Sequence, residues 1–113
     1  LIVTMANTED WIKEDLLALI LYYASNADMH ISASEVEMIV KKTGKVHYDK
    51  AKEVFKNHSD HKVIELMVVL KERFYPGADG KETINMHLTD LFKADGKVDQ
   101  MERMVRMGLD HLF

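Results

Sequence analysis

Apolar residues recur at intervals of three and four along most of the 113-residue chain, which is the spacing of amphipathic α-helices. This pattern predicts helices that begin near residues 9, 33, 47, 60, 82 and 99. The predicted first and fourth helices are apolar on most of their faces, which is typical of helices inside a bundle. The predicted fold class is therefore all-α, a compact antiparallel helical bundle of about six helices.

Residues that begin or end helices separate these segments. Thr8 is the predicted N-cap of the first helix, and Ser32 with Glu35 fits a capping box at the start of the second. Gly44 is a suitable residue just beyond the second helix, and Pro76 stops the fourth. These signals predict helices that are joined by short loops.

Length and composition indicate one globular domain. Apolar residues make up 47% of the chain and charged residues 30%, which is not the composition of a disordered protein. The single proline and five glycines are too few for the frequent turns of an all-β sandwich. We expect residues 1–8 to form a flexible N-terminal tail and residues 9–113 to form a single helical domain.

Charge and cysteine content exclude several classes of function. The net charge of −4 argues against nucleic-acid binding, and Lys41, Lys42 and Lys45 suit the negative end of a helix dipole without any phosphate. The absence of cysteine excludes disulfides, thiol catalysis and cysteine-type zinc sites, and it suits a cytoplasmic protein. No apolar run approaches the roughly 20 residues of a membrane span, so none is expected.

A nine-residue acidic motif occurs twice. Segments 27–35 (ADMHISASE) and 94–102 (ADGKVDQME) both read Ala-Asp-x-x-(Ile/Val)-(Ser/Asp)-x-x-Glu. Leu21 and Leu88 correspond at the same offset, so the pattern predicts a duplicated helical hairpin. Each motif is suited to a turn that caps the next helix, with its final Glu in the positive field of the helix start. This interpretation needs no ligand.

The second copy of the motif resembles the turn of the tellurite-resistance TerB-like family, which reads A-D-G-x-(I/V)-x-x-x-E. Segment 94–102 matches well, whereas segment 27–35 departs by having Met29 in place of glycine. The resemblance covers most of residues 10–113 in layout. It implies duplicated hairpins in the bacterial cytoplasm and a role in tellurite or other chemical-stress response. It also implies kinship with helper domains attached to some J-domain cochaperones.

The resemblance further implies that the acidic residues of the motif bind a divalent cation. The metal hypothesis names Asp28, Glu35, Asp95 and Glu102, which would share one site if both turns lie at one end of the bundle. Such oxygen ligands suit Ca²⁺ or Mg²⁺. No EF-hand is indicated, since loops starting at Asp28, Asp79 or Asp95 all lack the required ligand pattern. No other cofactor is expected.

No catalytic motif is evident, and the chain is predicted not to be an enzyme. It lacks a nucleophile elbow, a P-loop, a zinc-protease motif and a dinucleotide-binding motif. His58 and His61 are interpreted as surface or capping residues, and His87 as a core histidine hydrogen-bonded to a neighbour. The eight methionines are interpreted mainly as core filling, although methionine also lines adaptable binding surfaces.

Three hypotheses about function follow. The first is a non-catalytic, cytoplasmic TerB-like domain that acts in stress response through a partner protein, with a divalent cation. The second is a purely structural protein–protein interaction module, of the kind associated with cochaperones, whose acidic turns only cap helices. The third, a small metal-dependent enzyme, requires an open pocket that contains a carboxylate or histidine with a perturbed pKa.

Overall fold

The computed structural model describes residues 8–26, 31–95 and 108, and within them the chain is helical and has no strand. The helices are α1 (Lys13–Ser25), α2 (Ala33–Thr43), α3 (Lys45–Asn57), α4 (Asp60–Phe74) and α5 (Gly77–Asp95). The radius of gyration over Cα atoms is 13.1 Å, close to the value of about 13 Å for a compact domain of this size. The predicted all-α fold is confirmed. The predicted sixth helix lies outside the described residues, apart from Gly108, which is helical.

Helix α1 is the centre of the bundle and packs against each of the other four helices. Its residues from Asp15 to Tyr22 are all buried, and Leu16, Leu19, Ile20 and Leu21 have no exposed surface. A helix that is apolar on nearly all faces is buried because any exposed face would leave apolar surface in water. The prediction of a central first helix is confirmed.

Helix α4 is buried on one side only. Val63, Leu66, Met67 and Leu70 belong to the core, whereas 62% of Val69 is exposed. The fourth helix is therefore apolar on more faces than it buries, because its apolar residues outnumber the positions that its neighbours cover. Among the described helices, none is long and apolar enough to cross a membrane.

The helix boundaries confirm some capping signals and correct others. Ser32 and Glu35 form the predicted capping box, and Gly44, with φ of 99°, ends α2 and begins α3. A positive φ of this size is strained for residues with a Cβ. Thr8 does not cap α1, because residues 8–11 form a turn in which Trp11 N–H donates to the Thr8 carbonyl over 3.1 Å. The prediction of an N-cap at Thr8 was wrong.

Helix α5 begins at Gly77, about five residues earlier than its apolar pattern predicts. Pro76 immediately precedes the helix, where its missing N–H is not needed. The buried Lys71 donates from Nζ to the Gly77 carbonyl over 3.3 Å, which joins the end of α4 to the start of α5. A Cβ added at Gly80 would lie only 2.0 Å from the Tyr75 carbonyl oxygen, so only glycine permits this tight corner.

Candidate functional site

The first acidic turn is described only in part, and Glu35 is its best-defined residue. Glu35 is buried and accepts the Ser32 backbone N–H over 2.9 Å, while its own N–H donates to the Ser32 hydroxyl over 3.1 Å. One carboxylate oxygen of Glu35 thus fixes the start of α2. Asp28 and Glu102 lie outside the described residues, as does the side chain of Asp95, the last residue of α5.

The predicted four-carboxylate metal site therefore stays a prediction. Within the described residues, no group of three or more His, Cys, Asp or Glu side chains is arranged to hold a metal ion. Glu35 is the single member of the predicted set whose side chain is described. Its capping bond is compatible with the ligand-free interpretation of the motif, and a second carboxylate oxygen remains for other contacts.

A buried carboxylate at the start of α1 joins that helix to α3. Asp15 is 1% exposed. One of its oxygens accepts the Ile12 N–H over 2.9 Å and the Lys50 ammonium over 3.2 Å, and the other accepts a hydrogen bond from Nδ1 of His47. The Lys50 ammonium also lies 5.6 Å from the centre of the Trp11 ring. We call Asp15, His47 and Lys50 the Asp15 cluster.

The Asp15 cluster holds a charged carboxylate inside the bundle. Burial by itself raises the pKa of Asp15, but the hydrogen bonds from Ile12, His47 and Lys50 outweigh it, so the pKa lies below its usual value. A carboxylate with three donors is poorly placed to accept a proton from a substrate. The cluster therefore acts mainly as a bridge between α1 and α3.

A second cluster, the Lys42 cluster, joins α2 to α5. The Lys42 ammonium lies 2.8 Å from a carboxylate oxygen of Asp90 and 3.0 Å from Nδ1 of His87. Because an ammonium only donates, Nδ1 of His87 is the acceptor and carries no proton. The predicted hydrogen bond between His87 and a neighbour is confirmed, although His87 is half-buried at the edge of the core.

The charges of the Lys42 cluster reinforce this arrangement. Burial and then the positive charge of Lys42 lower the pKa of His87, outweighing the opposite effect of Asp90. The hydrogen bond and charge of Lys42 lower the pKa of Asp90. At neutral pH the cluster therefore consists of an ammonium, a carboxylate and a neutral imidazole.

An open groove lies beside the Lys42 cluster, between α2 and α5. Its volume is about 530 Å³, and it is lined by Met38, Lys41, Lys42, Asp90, Lys93 and Ala94. Lys41 and Lys93 are exposed, and Lys42 has a side-chain exposure of 15%. The groove thus combines three ammonium groups with one carboxylate and a small apolar surface.

The groove lies at the described end of α5. Lys42 of α2 contacts Asp90 of α5, and Met38, one turn earlier in α2, lines the same groove as Ala94, one turn later in α5. The last described residues of α5 therefore lie beside α2, the helix whose first turn contains Glu35.

Sequence reasoning identified the capping roles but not these two clusters. Nδ1 of His58 donates to the Val54 carbonyl over 2.9 Å at the end of α3, and the exposed His61 lies 3.5 Å from Glu65, as expected of capping and surface histidines. The Asp15 and Lys42 clusters join residues that are 32 to 48 positions apart. The sequence offered one signal for the Asp15 cluster, which was a charged residue within a helix that is apolar on most faces.

These clusters and the groove are the features of the described residues from which function must be inferred. The chain matches no protein-family model, no curated protein and no solved structure.

Proposed function

We propose that this protein is a non-catalytic helical domain that acts in tellurite or chemical-stress response by binding another protein. The groove between α2 and α5 is the observation that carries this proposal. It presents lysines and a flexible methionine on the surface, which are features of adaptable binding sites. The TerB-like motif at residues 94–102 supports the stress-response role and a cytoplasmic location.

The state of the ionisable groups supports a non-catalytic role. The carboxylate of Asp15 is enclosed and accepts three hydrogen bonds, and Nδ1 of His87 is occupied by Lys42. General acid–base catalysis requires a titratable atom within reach of a substrate proton. The Asp15 carboxylate and Nδ1 of His87 instead form hydrogen bonds that join one helix to another.

We further propose that the two acidic motifs belong to a duplicated helical hairpin, with a sixth helix after Asp99. The packing of α2 beside α5 supports this arrangement, because one motif leads into α2 and the other follows α5 in the sequence. Two acidic turns at one end of the bundle would supply oxygen ligands for Ca²⁺ or Mg²⁺. The proposed ligands remain Asp28, Glu35, Asp95 and Glu102.

Loss of the protein should make its native host more sensitive to tellurite. We expect a deletion strain to stop growing at a lower tellurite concentration than the parent strain does. A plasmid copy of the intact chain should restore tolerance. Growth would be measured across a tellurite series, with an unrelated osmotic stress as the control. Equal tolerance of the deletion and parent strains would refute the stress-response role.

Cation binding separates the proposal from the alternative, a structural interaction module without a metal. A Ca²⁺ or Mg²⁺ concentration about a hundredfold above Kd should stabilise the fold by about 2.7 kcal/mol, since the ion binds only the folded chain. Thermal melts with each ion and with a chelator would measure this. Asp95→Asn should abolish the shift, whereas Asp79→Asn, an exposed change in the same helix, should retain it. Melts that are unaffected by either ion or chelator would favour the module without a metal.

A further inference from the structure

We propose that the groove between α2 and α5 binds an acidic segment of a partner protein, with an apolar side chain of that segment against Met38 and Ala94. This inference rests on the proposed function and names the chemistry of the partner. Three lysines and one aspartate line the groove, which gives it a net charge of about +2 on a chain whose net charge is −4. The groove is therefore a local exception to the charge of the whole chain, and it favours a negatively charged ligand.

Lys42 is positioned in advance to donate to such a ligand. Its ammonium has three N–H donors, of which Asp90 and His87 take two. The side chain lines the groove, so the third donor remains for a carboxylate of the partner. Because two bonds already restrict the lysine, binding costs less side-chain entropy than it would with a free lysine.

Lys41 and Lys93 supply the charges that are not matched within the cluster. Both are exposed and both line the groove, one from each helix. Their separate positions suit carboxylates spaced along a chain. Asp90 partly neutralises the charge of Lys42. The two exposed lysines should therefore contribute most of the electrostatic attraction of the partner.

The lining of the groove favours a peptide over a nucleic acid. None of the described residues that line it is aromatic, so these residues offer no surface on which a base would stack. The net charge of −4 on the chain would oppose a long polyanion such as a nucleic acid more than a short acidic segment. Met38 and Ala94 instead provide a small apolar contact that suits a side chain such as leucine.

The test is binding of a short fluorescent peptide in which glutamates flank a central leucine, measured by anisotropy at low salt. We expect the double variant Lys41→Glu/Lys93→Glu to bind about tenfold more weakly, which corresponds to about 1.4 kcal/mol. The matched control is Lys52→Glu/Lys62→Glu, which makes the same charge change at exposed lysines outside the groove. The control should retain most of the affinity, and a peptide with serine in place of leucine should bind more weakly to the unchanged protein.

Three results of the binding assay would overturn the inference. These are no binding of the peptide by the unchanged protein, equal losses in both double variants, or stronger binding of single-stranded DNA than of the peptide. Circular dichroism would verify that each variant is folded. Failure of the proposed function is distinguishable, because it appears as unchanged tellurite tolerance in the deletion strain. If the intact chain and Lys41→Glu/Lys93→Glu restore tolerance equally, the function stands and the groove assignment is wrong.

Discussion

Leu19→Ala should lower the free energy of unfolding by about 4 kcal/mol, near the upper part of the range for buried leucine. Leu19 has no exposed surface and lies in the middle of α1, which packs against all four other described helices. Neighbours on several sides restrict collapse of the cavity, so the lost contacts are poorly replaced. Urea denaturation followed by circular dichroism would measure the change.

Val69→Ala is the control for this prediction. Val69 is 62% exposed on α4, so its truncation leaves no cavity and should change stability by less than about 0.5 kcal/mol. A domain of this size has a total stability of only about 5–15 kcal/mol, so Leu19→Ala would remove a large fraction. Equal effects of the two substitutions would contradict the central position of α1.

Asp15→Ala should destabilise the fold by about 3 kcal/mol, the lower end of the range for breaking a buried ion pair. The substitution leaves the Ile12 N–H, His47 and Lys50 without their shared acceptor. The lower value is expected because the side chains of His47 and Lys50 are 25% and 35% exposed, and water partly replaces the carboxylate. Thermal and urea denaturation at neutral pH would measure the loss.

The contribution of Asp15 should also depend on pH in a defined direction. Its pKa is lowered in the folded protein, so the ionised carboxylate stabilises the fold above the unfolded pKa of about 3.9. That stabilisation is lost as the pH falls through the lower folded pKa. The stability difference between the unchanged protein and Asp15→Asn should therefore be constant near neutral pH and narrow below about pH 4.

Asp49→Asn is the matched control for the Asp15 substitutions. Asp49 pairs with Lys45 across one helical turn over 2.9 Å, but both side chains are more than half exposed. Such pairs contribute about 0.2–1 kcal/mol at most. A loss at Asp49 as large as that at Asp15 would contradict the role assigned to burial, and so would a stability gap for Asp15→Asn that is independent of pH.

The Asp15 and Lys42 clusters contain the same three residue types. In each, one carboxylate, one histidine and one lysine from two helices meet, and the lysine and histidine are not part of the core. The difference lies in exposure, since Asp15 is enclosed whereas Asp90 borders the groove. The enclosed cluster contributes to stability, and the open cluster remains accessible to a partner.

Most helices and several helix ends could be predicted from the sequence, because helix periodicity and capping depend on residues that are close in the chain. The apolar residues of α1 surround the helix, so its central position followed from the pattern alone. The capping box of Ser32 and Glu35 was also predictable, because both hydrogen bonds lie within one turn. The start of α1 was misplaced because Trp11 belongs to a turn that packs on the core, which local signals do not reveal.

The all-α class, the central helix and the capping box of α2 followed from local sequence patterns, since periodicity and capping act over three or four residues. Which charged residues meet depends instead on how the helices pack. Asp15 and His47, like Lys42 and Asp90, are far apart in the chain, and only the packing of α1 on α3 and α2 on α5 brings them together. The groove has the same origin, because its lining comes from two helices whose contact no local pattern encodes.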